Sequence, residues 1–248
     1  MVKKMKKRIT FIIIIMVISA IIGGGIFKLL QIQNKEPIKE EKHSNFYIEG
    51  LDVDDVIMYF NEVAFGAEII NSGNPNVLQK WKDPIYYYIS GEYTKKDSET
   101  LIKFIGFLNT IEGFPGIFET QELSKTNLNI YFGNKENMLA ILGKEFDGMD
   151  GGVTYWYTDN VINRGTICYR TDIEQQVRNS VIIEEIYNGL GLIQDTSLRE
   201  DSIIYSGFSI PQQLTKIDEL LIKLLYSKDL KNGMTPSECE KVIRKLYY

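Results

Sequence analysis

The sequence predicts an α+β fold: one domain with a mixed sheet, a central helix and C-terminal helices, placed behind an N-terminal transmembrane helix. Three observations predict it. Helical and strand-like patterns are interspersed as far as residue 170, and only helical patterns follow. An apolar run long enough to cross a bilayer opens the chain, and one polar tether separates it from the rest. No repeat recurs and no further boundary is visible, so the 248 residues divide into an anchor at 1–30, a tether at 31–45 and a folded domain at 46–248.

Composition narrows the function classes. With 44% hydrophobic and 25% charged residues, the chain has the make-up of a globular protein rather than a disordered one. Residues 1–30 hold six of the 28 Lys and Arg and none of the 33 Asp and Glu. That leaves 22 basic residues against 33 acidic ones in the remainder, a net charge of −11. A domain of this charge repels polyanions, and no nucleic acid partner is expected.

At the N-terminus, Lys3, Lys4, Lys6, Lys7 and Arg8 precede the apolar run 9–27, which at helical rise matches a bilayer core of ~30 Å. The positive charges hold this end in the cytoplasm, so the expectation is a single-pass cell-membrane protein with its domain outside the cytoplasm. A cleaved signal peptide, with Gly23 and Gly25 before the cut, is the alternative. The tether reads QIQNKEPIKEEKHSN and has a reach of roughly 20 to 25 Å. His43, the one histidine of the chain, lies in it and reads as a solvated linker residue.

In the domain, Asp52 signals a first helix in which Val56, Ile57, Tyr59, Phe60 and Val63 recur at helical spacing. After the SGNPN loop at 72–76, residues 85–89 form a strand. Its consecutive Tyr86, Tyr87 and Tyr88 face alternate sides, as in ordinary strand packing. A second helix over 97–110 ends at GFPG, 113–116. A strand over 127–132 and a short helix over 138–142 come next. The loop DGMDGG at 147–152 brings Asp147 and Asp150 together without the ligand spacing of a calcium-binding EF-hand. VTYWYT (153–158) and VINRGTICYR (161–170) form a hairpin about Asp159 and Asn160.

The central helix begins near 172–174 and includes VIIEEIYNGLGLIQD, 181–195, stopping where Gly189 and Gly191 permit a left-handed cap. Ile182, Ile183, Ile186, Tyr187 and Leu190 fill one arc. Glu184 and Asn188 share the opposite side, with Glu185 at the flank, the pattern of an amphipathic helix with a solvated polar face. Downstream, Leu214, Ile217, Leu220, Leu221, Leu224 and Leu225 follow a helical period. Thr235 and Glu238 then form a capping box with Pro236 at the first helical position. These last helices are expected to buttress the central one and hold no site. Cys168 and Cys239 fit either a disulfide formed outside the cytoplasm or two buried thiols.

The pattern EExxNxLGLxQD at 184–195, together with SIIYSG at 202–207 and IDELLIKLLYSKDLKNGMTPSEC at 217–239, resembles a bacterial family of envelope proteins known as domain of unknown function 2927. The likeness is specific from residue 162 onward and looser from residue 45. It implies an envelope setting and supplies no reaction. The same stretch is similar, more distantly, to the HExxHxxGxxH helix of zincin metallopeptidases. Glu185 then takes the place of the catalytic glutamate, and Glu184, Asn188 and Gln194 stand where three histidines would be. Gly191 matches the turn glycine.

Two neutral amides and one carboxylate make a poor zinc set, so no metal and no cofactor are expected. No GxSxG motif, P-loop or cysteine with a usable histidine is present. The favoured expectation is a non-catalytic zincin-like domain. It would bind an envelope protein or glycan through Glu184, Asn188 and Gln194, in a cleft lined partly by Tyr and Trp. The alternative is a membrane-proximal hydrolase of peptide or glycan with Glu185 as general base.

Overall fold

Side-chain caps fix where most of the helices start. In the computed structural model, which describes residues 44–66 and 77–248, helix α1 (Val53–Phe65) opens at Asp52, whose carboxylate accepts from the Asp54 amide at 2.7 Å. Helices α2 (Lys95–Leu108), α5 (Lys216–Tyr226) and α6 (Pro236–Tyr247) each begin with a reciprocal capping box. The pairs are Thr94 with Asp97, Thr215 with Asp218, and Thr235 with Glu238. Asn134 caps α3 (Lys135–Leu142). The central helix α4 (Gln175–Gly189) is the exception, since Glu174 gives it no side-chain cap.

Six strands form one sheet: β1 (Lys80–Trp81), β2 (Ile85–Gly91), β3 (Ile117–Glu119), β4 (Leu128–Gly133), β5 (Gly151–Thr158) and β6 (Val161–Arg170). Strands β3, β2, β4 and β6 lie side by side and parallel, and β1 runs parallel to the first residues of β6. Only β5 is antiparallel, paired with β6 along its length. Their shared turn puts Asp159 at φ 52° and Asn160 at φ 63°, the left-handed pair of a two-residue hairpin.

This arrangement corrects the expected class. The fold is mixed α/β with a parallel sheet and six α-helices among the described residues, not α+β. The misreading came from β3, which at three residues is too short to show a period. Without it the β2–α2–β3 crossover is invisible, and crossovers of that kind are what make neighbouring strands parallel. No helix among the described residues is long and apolar enough to cross a membrane, and the expected N-terminal transmembrane helix is not among them. The basic tip, the apolar run and the tether, His43 included, lie outside the described residues, as does the SGNPN loop.

One face of the sheet carries α2 and α4. Ile85, Tyr87, Leu128, Ile130, Phe132, Ile167 and Tyr169 belong to that core, and Tyr169 donates from its hydroxyl to Ile182 O at 3.0 Å. The other face holds a smaller cluster, Met138, Leu142, Phe146 and Cys168. Tyr86 lies exposed against Phe118, while Tyr87 is buried, as strand alternation requires.

The C-terminal helices support α4 through buried hydroxyls, Tyr187 donating to Asp218 O and Tyr226 to Leu190 O, both at 2.9 Å. Lys80 extends its ammonium to Leu225 O and Leu230 O, closing the end of α5. At the far end of the domain, Tyr247 donates to Leu51 O at 2.7 Å, and Ser44 donates to Tyr247 O at 2.9 Å.

Candidate functional site

With no side-chain cap, α4 is started by an ion pair instead. Arg178 Nε meets Asp97 Oδ1 at 2.7 Å, and both side chains are buried. The remaining guanidinium donors reach Thr171 O, Ile173 O and Gln175 Oε1. Burial pushes the Asp97 carboxyl up, but hydrogen bonds from Arg178, Thr94 and Gln175 outweigh it and hold the group below the usual carboxylate range. The pair joins the start of α4 to the start of α2, which fixes where every later residue of α4 points.

The expected solvated face is corrected at two positions. Glu185 is 9% exposed and Asn188 is 3% exposed, while Glu184 is half-buried. At Glu185 the cause is strand β5, which passes directly over this residue of α4. A Cβ on Gly151 would lie 2.5 Å from Val181 Cγ1 and about 3 Å from Glu185 Cγ and Oε1, so only glycine permits the approach. Two residues along, Val153 touches Gly189 on the same side. Tyr155, the next inward residue, reaches Gln79 Oε1 at 3.5 Å. Burial raises the Tyr155 hydroxyl well above its ordinary range.

Asn188 Oδ1 is the notable atom. It is buried and has no hydrogen-bond partner among the described residues. Buried polar atoms are almost always paired, so an unpaired one on the central helix calls for an explanation. Glu185 acts electrostatically on its surroundings: burial first and its carboxylate second push the Cys168 thiol up to about 12. Cys168 and Cys239 are both buried free thiols.

The structure does not use Gln194 in the same way. The turn after α4 needs Gly191 at φ 114°, where a Cβ would stand 2.2 Å from Gln79 O. Beyond it, Gln194 lies against Gly66 at the end of α1, its backbone amide donating to Val63 O and its side chain to Asp195 O. Of the expected residues, Glu185 lies against β5, Glu184 and Asn188 follow around the same helix, and the Gln194 side chain is engaged elsewhere. Trp156 lies away from them, on the other sheet face, with Arg164 over its ring at 4.2 Å.

The two aspartates of the 147–152 loop are matched by cations, Asp147 with Lys135 at 2.6 Å and Asp150 with Arg170 at 3.0 Å. Among the described residues no group of three or more His, Cys, Asp or Glu is placed to hold a metal ion.

A family model described as protein of unknown function (DUF2927) matches residues 54–245, from the first turn of α1 into α6. The chain belongs to this family. The match covers every strand of the sheet and the whole side of α4 facing β5, so the DUF2927 region contains the complete candidate site. No curated protein matches the chain.

Residues that sequence reasoning missed are Gln79, Gly151, Val153 and Tyr155. The paired glycines 151 and 152 were a usable signal, since glycine inside a strand marks a close backbone approach.

Proposed function

We propose that this DUF2927 domain is a non-catalytic, zincin-like binding module. Its binding edge is β5, which packs over Glu185 of α4, and its ligand is an extended segment of an envelope protein. The observation that carries the reading is the unpartnered Asn188 Oδ1, buried beside Glu184 and Glu185. The zincin likeness draws support from the placement of the glutamate-bearing helix beneath an antiparallel edge strand. The ligand class draws support from β5, which pairs with β6 on one side and with no strand on the other among the described residues. Such an edge accepts an added strand, and the amide and carboxylates beneath it supply selectivity.

The test is selection of peptides from a random library on the full chain. Binders should lose at least tenfold in affinity on Asn188→Leu, and β5 amides should gain hydrogen-exchange protection in the complex. Binding insensitive to Asn188 and to β5 would end this reading. A hydrolytic role for Glu185 is separated by incubating the same peptides with the chain: cleavage abolished by Glu185→Gln would replace the binding reading. The envelope setting belongs to the proposal and rests on the charge asymmetry of residues 1–30. Protease access to the domain in intact, outer-membrane-permeabilised cells checks it.

A further inference from the structure

A second cavity lies on the opposite flank of α4, between α2, α4 and residues 212–214, with a volume of about 570 Å³. That size suits a small organic ligand or one peptide residue with its backbone. Its apolar wall is made by Phe104, Phe107, Ile183 and Leu214. The two phenyl rings lie nearly parallel, 15° apart with centroids at 6.2 Å.

The polar wall is held in place by its own hydrogen bonds. Asn179 Oδ1 accepts from Thr100 at 3.3 Å and from Gln175 at 2.9 Å, and its amide donates to Gln212 at 3.4 Å. Gln212 in turn donates to Gln176 O and Ile210 O, which fastens the 210–214 segment to α4. The rim carboxylates are matched: Glu99 by Lys95 at 3.6 Å and Lys96 at 4.0 Å, Glu219 by Lys223 at 3.0 Å. Two polar groups are left over. Among the described residues, the Lys103 ammonium makes no salt bridge and the Gln213 amide no hydrogen bond.

We infer that this cavity binds a carboxylate bearing an apolar or aromatic body, with the carboxylate on Lys103 and Gln213 and the body against Phe104 and Phe107. An ammonium and an amide N–H are complementary to one carboxylate, and with Glu99 and Glu219 already neutralised no charge opposes it. The same chemistry occurs in a free N-acylated amino acid and in the C-terminal residue of a peptide. The cavity is separate from the β5 edge, because Asn179 and Ile183 line it with α2 while Glu185 lies against Gly151 of β5.

The experiment titrates the isotopically labelled full chain with N-acetyl-L-phenylalanine, its uncharged amide, and Gly-Gly-Phe, following NMR shifts of residues around the cavity. Both acids are expected to bind saturably and the amide about tenfold more weakly. Lys103→Gln and Gln213→Ala should each weaken the acids about five- to tenfold. Both positions are exposed, so unchanged melting temperatures verify that the variants fold. Tighter binding of Gly-Gly-Phe assigns the site to a peptide C-terminus, and tighter binding of N-acetyl-L-phenylalanine to a free acid. No saturable shift below roughly 10 mM, equal binding of acid and amide, or indifference to Lys103→Gln overturns the inference. Asn188→Leu should leave all three titrations unchanged, which keeps this result separate from the fate of the β5 edge.

Discussion

Replacing Asn188 by leucine should make the protein more stable, an uncommon outcome for a buried position. The side chain is 3% exposed and its Oδ1 has no partner. A buried carbonyl oxygen without a hydrogen bond costs about 1 to 3 kcal/mol. Leucine has nearly the shape of asparagine, removes that cost and adds apolar surface to a buried position. The expected gain is about 1 to 3 kcal/mol. A domain of this size shifts by roughly 2 to 4 °C per kcal/mol, so its melting temperature should rise by about 2 to 12 °C. The urea midpoint should rise by roughly 0.5 to 1 M with an unchanged slope. Asn188→Ala, which leaves a void, should gain less or nothing. Stability gained together with peptide binding lost would show a residue kept for a ligand. A leucine variant less stable than the parent by more than about 1 kcal/mol would refute the reasoning, because the amide would then be a structural hydrogen-bonding group.

Four further outcomes are expected. Arg178→Met leaves Asp97 buried without its cation and should cost about 3 to 5 kcal/mol, of which Asp97→Leu added to it recovers a large part; equal destabilisation by single and double variants would contradict this. Because the Asp97 carboxyl is held below its unfolded value, its stabilisation is complete above about pH 4 and is lost as pH falls through the lower folded value. Urea midpoints between roughly pH 5 and 2 should show that loss in the parent and less of it in Asp97→Asn, and a flat parent profile would count against it. Gly191→Ala should cost more than about 2 kcal/mol by denaturant unfolding, since both φ 114° and the 2.2 Å approach to Gln79 O exclude a Cβ. Asn160→Gly, at φ 63° in the β5–β6 turn, should stabilise by about 0.5 to 1 kcal/mol, and a loss would show that the asparagine side chain has a task of its own.

What the sequence made legible follows from how local each signal is. The capping box at Thr235, the hairpin at Asp159 and Asn160 and the glycine stop of the central helix are written within a few residues and appear as read. The capping box at Thr94 moved the start of α2 two residues ahead of the expected helix. Strand β3 was illegible because three residues carry no period, and with it went the parallel class of the sheet. In the site, the α4 side bearing Glu184, Glu185 and Asn188 could be drawn from helical geometry alone. Whether that side met water depended on Gly151, more than thirty residues earlier in the chain, and no periodicity in α4 records that contact. The same holds for Asp97 and Arg178, which meet across 81 positions.

The bond between Tyr247 and the backbone at Ile48 and Leu51 sets a timetable for making the protein. Residues 44–51 leave the ribosome well before their partner, which lies 196 to 199 positions further along the chain. β1 waits similarly, since Asn232 clamps Lys80 from both sides, accepting from its amide and donating to its carbonyl. These segments therefore remain unsettled until residues 232 and 247 have emerged. Contacts of such long sequence separation slow folding. A chain stalled before residue 232 should stay sensitive to protease at its front end even when β2 to β6 are already out.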